Sequence, residues 1–121
     1  KLLNLINQER TKAGLAALKA DAALMDVARL KAKDMVQNNY FSHQSPTYGS
    51  PFDMMRQFGI TFKTAGENIA GNSTEEGATK AWMNSEGHRK NILNGNFNYT
   101  GIGIYQSPKY GKIFVQMFIG R

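Results

Sequence analysis

The segment that most restricts the fold is the last one. From Lys112 to Ile119 the series Ile113, Val115, Met117 and Ile119 alternates with Phe114, Gln116 and Phe118, so an extended chain here is apolar on both faces. A strand exposed to water on one side alternates apolar with polar, whereas a covered strand is apolar throughout. This segment therefore belongs in the middle of a sheet, with helices over at least one side of it. Its partner precedes it directly. Asn98 to Tyr105 alternates in the same manner, with Gly101 and Gly103 set among Ile102 and Ile104, and Pro108-Lys109-Tyr110-Gly111 supplies the turn of a hairpin.

The helices needed as cover lie upstream. Leu2, Leu3, Leu5 and Ile6, with Glu9 to Ala13, read as an amphipathic helix stopped by Gly14. Asp21 is placed to cap a longer one, in which Leu24, Val27, Ala28, the stem of Lys31 and Met35 recur at helical spacing until Asn38-Asn39. Ser42 to Ser50 is a connection, and Ser50-Pro51 opens a short helix closed by Gly59. Thr61 to Ile69 is expected to be extended. Ser73 with Glu76 has the spacing of a capping box for a helix from Thr74 to about Asn84, with Ala78, Ala81 and Trp82 on its core face. Ser85 then caps another short helix that runs to Leu93, and Asn94-Gly95 breaks it. Helices first and a hairpin last make an α+β fold.

With 121 residues the chain fits one domain over its full length, 1–121, enough to bury about two-thirds of its unfolded surface. No apolar run reaches the roughly 18 residues of a membrane span, so stable membrane insertion is not expected. There are no cysteines, hence no disulfide holds the fold. The chain begins at Lys1 rather than Met, so an upstream segment is expected to have been removed. A net charge of +6 is scattered from Lys1 to Arg121, which favours acidic partners such as wall polymers at long range. Without a basic helix or an aromatic RNA-binding strand, nucleic acid is not an expected partner.

Chemistry is concentrated in three polar turns. The only two histidines are His43, in Phe41-Ser42-His43, and His88, in Ser85-Glu86-Gly87-His88; the isolated acids are Glu67, in Gly66-Glu67-Asn68, and Glu86. Imidazole nitrogens with carboxylates suit Zn²⁺ or another divalent metal, the acids serving as ligands, as orienting groups or as a base toward bound water. Without metal, the same groups suit proton transfer. Plainer roles also fit: Glu86 favours the positive end of a helix, and Glu67 could bond nearby backbone N–H groups. Ser42 and Ser85 lie near histidines but lack a nucleophile-elbow motif, and read as turn and cap residues.

Asn7-Gln8-Glu9-Arg10 with Gly14-Leu15, Ala28 to Tyr40 leading to Phe41-Ser42-His43, Gly66-Glu67-Asn68-Ile69-Ala70, Ala81-Trp82-Met83-Asn84-Ser85-Glu86-Gly87-His88-Arg89 and Gly101-Ile102-Gly103, in this order, make the chain resemble the CAP superfamily. That group comprises the cysteine-rich secretory, antigen 5 and pathogenesis-related 1 proteins, and the chain is similar to its compact, cysteine-free bacterial form. The resemblance implies a three-layer α-β-α sandwich with a central antiparallel sheet, and a cleft that gathers His43, Glu67, Glu86 and His88. It further implies that His43 and His88 are the metal ligands, that Glu67 and Glu86 are the acids of any catalysis, and that the domain is extracellular: secreted, or associated with wall or spore. In place of the aromatic-Thr-Gln run of eukaryotic members stands Arg89-Lys90-Asn91-Ile92-Leu93, so sterol, toxin and immune roles are not carried over. Two functions are expected from these readings. The first is a monomeric binding module for a divalent metal and an extracellular or cell-wall ligand, whether glycan, peptide or small molecule. The second is a metal-dependent hydrolase, peptidase-like or wall-degrading, built on the same four residues.

Overall fold

The computed structural model describes residues 1–121. In chain order the elements are α1 (Leu2–Lys12), β1 (Lys19–Ala20), α2 (Ala22–Gln37), α3 (Pro51–Gln57), β2 (Thr64–Asn72), α4 (Glu75–Met83), α5 (Glu86–Ile92), β3 (Tyr99–Ser107) and β4 (Gly111–Gly120). The sheet order is β1-β3-β4-β2, so the doubly apolar C-terminal strand is indeed internal. Its neighbours β3 and β2 are both antiparallel to it. The expected antiparallel sheet acquires one parallel pairing, Lys19 and Ala20 against Tyr99 and Thr100, too short to leave a periodic signal in the sequence.

The two faces of β4 seed two separate cores. Ile113, Val115, Met117 and Ile119 pack with Leu24, Val27, Ala28 and Met35 of α2 and with Met54 and Met55 of α3. Phe114 and Phe118 pack on the opposite side with Leu2 and Ile6 of α1, Ala78 and Trp82 of α4, and Ile92 of α5. Helices therefore cover both faces, and the chain is a three-layer α-β-α sandwich. The glycines of β3 explain how α2 sits so close. A Cβ on Gly101 would lie 2.2 Å from the backbone carbon of Leu24, and one on Gly103 would lie 2.2 Å from that of Ala28. Any side chain there would push the helix off the sheet.

Most of the expected boundaries hold. Gly14 adopts φ +80° after α1, and the Asp21 side chain accepts from the Leu24 N–H. Ser50, Pro51 and Asp53 form a full capping box at α3. Three details differ. The extended segment begins at Thr64 and runs on to Asn72, because it pairs with β4 from Gly120 back to Lys112. The cap of α4 is Thr74, whose hydroxyl accepts from the Gly77 N–H; Glu76 pairs with Lys1 at 2.6 Å instead of closing a box with Ser73. Ala81 is exposed, and the inward positions of α4 are Ala78, Thr79 and Trp82.

Candidate functional site at the edge of the sheet

Strand β2 is an outer strand, and successive side chains along it face opposite layers. Glu67 and Ile69 face α2, whereas Asn68 and Ala70 face α4 and α5. The site wraps around this edge, one half on each side.

The α2 half begins with Asp34, which faces the connection that follows its helix. Its carboxylate accepts from Tyr40 Oη, from Ser45 Oγ at 2.7 Å, from Asn38 Nδ2 at 2.5 Å and from Thr47 Oγ1 at 3.1 Å. Burial alone would raise the Asp34 pKa, but the hydrogen bonds from Tyr40, Ser45, Asn38 and Thr47 outweigh it and hold the group below the ordinary carboxylate range. The connection is thereby pinned on both sides of His43. That imidazole is half-exposed, and its Nδ1 lies 2.7 Å from Glu67 Oε1. The Glu67 side chain is only 1% exposed, and its second oxygen, Oε2, has no hydrogen-bond partner.

Lys31 completes this half. Its side chain is fully buried, and Nζ donates to the His43 carbonyl at 2.5 Å while lying 3.9 Å from Glu67 Oε1. Burial pushes its pKa down, against the opposing pull of Glu67 and Asp34. The sequence places only the stem of Lys31 in the core; in the fold the charged end is buried as well. An ionisable residue at a core position of a helix is the signal that pointed here.

The α5 half is built on two asparagines. Asn68 Nδ2 donates to the His88 carbonyl at 3.0 Å, and Asn91 Nδ2 donates to Asn68 Oδ1 at 2.9 Å and to the Glu67 carbonyl at 3.3 Å. These bonds fasten α5 to the sheet edge and occupy polar backbone groups there. Trp82 Nε1 does the same at the Ile69 carbonyl, 3.1 Å away. His88 Nδ1 lies 2.9 Å from Ser85 Oγ, and this contact takes the hydroxyl away from capping, so α5 starts without a side-chain cap bond. The His88 pKa is pushed down, first by burial and then by the nearby charge of His43. Through that charge His88 senses His43 across the edge of β2.

Glu86 does not join them. Its side chain is 86% exposed, and Oε1 lies 3.5 Å from Lys90 Nζ on the next turn of α5. The cause is helical geometry: residues two apart differ by about 200° in direction, so Glu86 and His88 leave the helix on opposite sides. The four expected residues therefore resolve into three at the edge and one outside. Lys31, Asn68, Ser85 and Asn91, none of which stood out as site residues in the sequence, support the three. Asn68 and Ser85 are chain neighbours of the expected acids, a second clue in the sequence beside the core position of Lys31.

No three His, Asp or Glu side chains converge as a metal-holding set. The donors at the edge are two imidazoles, while the unpartnered carboxylate oxygen of Glu67 is enclosed behind His43. Nitrogen donors of this kind suit a borderline cation such as Zn²⁺, but two imidazoles leave half of a tetrahedral shell to other ligands.

Known proteins supply an independent comparison. The family model described as "Cysteine-rich secretory protein family" (CAP) matches residues 3–118. The chain is 59% identical to the uncharacterized protein YkwD of Bacillus subtilis, covering all of this chain and 46% of that protein. It is 42% identical to the uncharacterized membrane protein YlbC of the same organism, again over its whole length and over 34% of the relative. Among solved structures, an extracellular protein containing an SCP domain from Bacillus anthracis superposes with a TM-score of 0.92 at 42% identity, over 99% of this chain and 39% of that one. The chain thus spans less than half the length of each of these three relatives. No helix of the chain is long and apolar enough to cross a membrane.

Proposed function

The chain belongs to the CAP family of cysteine-rich secretory proteins, and from that premise we propose that it is an extracellular binding domain working through the two imidazoles at the edge of β2. His43 and His88 hold a divalent cation such as Zn²⁺, and a cell-wall or other extracellular ligand, whether glycan, peptide or small molecule, supplies the remaining contacts. The observation that carries this reading is the 2.7 Å contact between His43 Nδ1 and the buried Glu67 carboxylate. A carboxylate behind an imidazole fixes its orientation and leaves Nε2 as the free nitrogen, the usual arrangement around ligating histidines. When bound, the cation would act as a Lewis acid toward an oxygen of the ligand. The protein's own part is to hold the two rings: Glu67 and Lys31 from one side, Ser85, Asn68 and Asn91 from the other. Only two protein nitrogens are offered, so the cation is expected to exchange readily and to bind in the micromolar range. The +6 charge favours anionic wall polymers near the surface.

A hydrolase is the second reading, favoured by one feature, the unpartnered Oε2 of Glu67. Glu67 alone would then be the base, because the Glu86 carboxylate stands in solvent beside Lys90.

Calorimetric titration of chelator-treated protein with Zn²⁺ tests the shared premise. Wild type is expected to take up one cation, and His43→Ala and His88→Ala are each expected to lose at least tenfold in affinity. Uptake by wild type that is absent, or unchanged in both variants, would remove the metal from either reading. Incubation of the loaded protein with wall fragments then separates them: retention without products supports binding, and turnover lost in Glu67→Gln supports hydrolysis.

A further inference from the structure

The two free edges of the sheet are finished differently. On β2, beside the histidines, the outward carbonyls of Glu67 and Ile69 accept from Asn91 Nδ2 and Trp82 Nε1. On β3 the even-numbered residues turn their carbonyls away from β4, and those of Asn98 and Thr100 accept from the Lys19 and Asp21 N–H groups. Strand β1 stops at Ala20, so the next outward residues, Ile102, Ile104 and Gln106, meet no further strand. Among their backbone groups only the Ile102 N–H has a partner, Met25 Sδ at 3.0 Å.

That partner is easily removed. A thioether is a weak acceptor, and an unbranched methionine side chain changes rotamer at little cost. Met25 starts from α2 on one face of the sheet, yet packs with the core on the other face. It therefore passes around the open edge and fills the place where an added strand would lie. Lys and Pro, which commonly guard such edges, are absent from Gly101 to Ser107. Beside the edge is a hollow of about 290 Å³, with Leu3, Met25 and Ile104 in its walls and Lys1, Arg29 and Glu75 at its border.

We propose that the β3 edge is a docking site for an extended peptide, which adds a strand beside Ile102 to Gln106 and displaces the Met25 thioether. A row of alternating N–H and C=O groups at strand spacing is matched by another extended backbone, whereas a sugar or an acyl chain has no donors and acceptors at that repeat. Side chains alternate along a strand, so every second residue of the peptide falls over the hollow, and there an apolar one is seated. The net charge of +6 favours acidic residues at the other positions, and it opposes a second copy of this chain, which carries the same charge. The docking edge lies across the sheet from His43, and its test involves no metal.

The test uses ¹⁵N-labelled protein and a pool of end-blocked pentapeptides in which Val, Ile or Leu alternates with Glu or Thr. The Ile102, Ile104 and Gln106 amide signals are expected to shift, saturating at about 1 mM peptide or below, while those of Gly101, Gly103 and Tyr105, already paired with β4, move less. Peptides N-methylated on alternate residues lack the donors of one edge, and one of the two possible sets is expected to bind at least about tenfold more weakly. Gln106→Pro removes an outward N–H, leaves the β4 ladder whole, and is expected to weaken binding by a similar factor. Edge amides that stay still with every peptide at several millimolar overturn the proposal. Shifts that neither N-methylated set weakens also overturn it, because side chains alone would then carry the binding. A concentration-dependent shift without peptide would give the edge to a second copy instead. Should Gln106→Pro displace the amide signals of Ile113 to Ile119, the N-methylated peptides decide on the unaltered protein.

Discussion

Two carboxylates lie in the α2 half of the molecule, Asp34 on the helix and Glu67 on strand β2, both nearly inaccessible, and they are treated in opposite ways. Asp34 is saturated by four donors from the connection that follows its helix. Glu67 receives one imidazole and a distant ammonium, and one of its oxygens has no hydrogen-bond partner. A buried acceptor with no bond costs roughly 1–3 kcal/mol, so a fold selected for stability alone would have filled or removed it. Asp34 is thus a knot that holds the His43 connection in place, and Glu67 is the group for which that connection is held.

The most severe way to break this contrast is to substitute each acid and compare. Asp34→Ala removes the shared acceptor of four hydrogen bonds, each worth about 1 kcal/mol net, so a loss of about 4 kcal/mol in urea unfolding is expected. Glu67→Gln keeps the shape, gives up the charge and is expected to cost only about 1 kcal/mol, while weakening cation uptake by about tenfold or more. Equal stability losses for the two would make Glu67 a second structural knot and erase the distinction. The Asp34 contribution also has a definite pH sense. A depressed folded-state pKa stabilises above the ordinary carboxylate value of 3.8 and is lost as the pH falls through the lower folded value, so Asp34→Ala should flatten the acid limb of the wild-type stability curve.

A smaller effect comes from the other half of the site. Folded His88 resists protonation, while the unfolded chain takes up a proton near the ordinary value of 6.5. Stability from this group is therefore complete above that value and declines as the pH drops below it toward the lowered folded value. Measured between about pH 7 and pH 5, the Tm of wild type should fall more steeply than that of His88→Gln. His43→Gln should flatten the curve only in part, because burial is the larger cause of the shift and the charge of His43 the smaller. Identical slopes in wild type and His88→Gln would mean that the ring is not enclosed at the edge of β2.

The two halves also differ in how far the sequence foretold them. The central strand was legible because β4 is apolar on both faces, a pattern that asks for helices over at least one side of it, and the second helical layer came with the CAP resemblance. Both histidines and Glu67 were legible as isolated polar groups in turns. Lys31 was harder, since a lysine on an apolar helical stripe usually lays its stem along the core and lifts its charge to water. Whether the charge stays inside depends on Glu67 and the His43 carbonyl, which arrive from 36 and 12 residues away in the chain. Asn91 and Asn68 meet across 23 residues, and nothing local to either signals it. Glu86 was misplaced for a different reason. The resemblance groups it with His88, and on a helix a separation of two residues sends the side chains to opposite sides.

That misplacement yields the smallest and sharpest test. Glu86 lies in the first turn of α5, where a negative charge favours the helix dipole, and it faces Lys90 in an exposed pair of a kind that contributes little. Glu86→Gln should leave the Tm within a degree or so of wild type, a change typical of open surface positions. Zn²⁺ affinity should be unchanged, as should the His43 and His88 tautomers, because the carboxylate has no route to either ring without unwinding the first turn of α5. Ser85→Ala, one residue earlier, removes the hydroxyl that touches His88 Nδ1 and should alter the His88 tautomer with as little effect on stability, the hydroxyl having no capping bond to lose. If Glu86→Gln weakens cation binding and Ser85→Ala does not, α5 must rotate when the site is loaded, and the edge of β2 would be a movable centre instead of a preformed one.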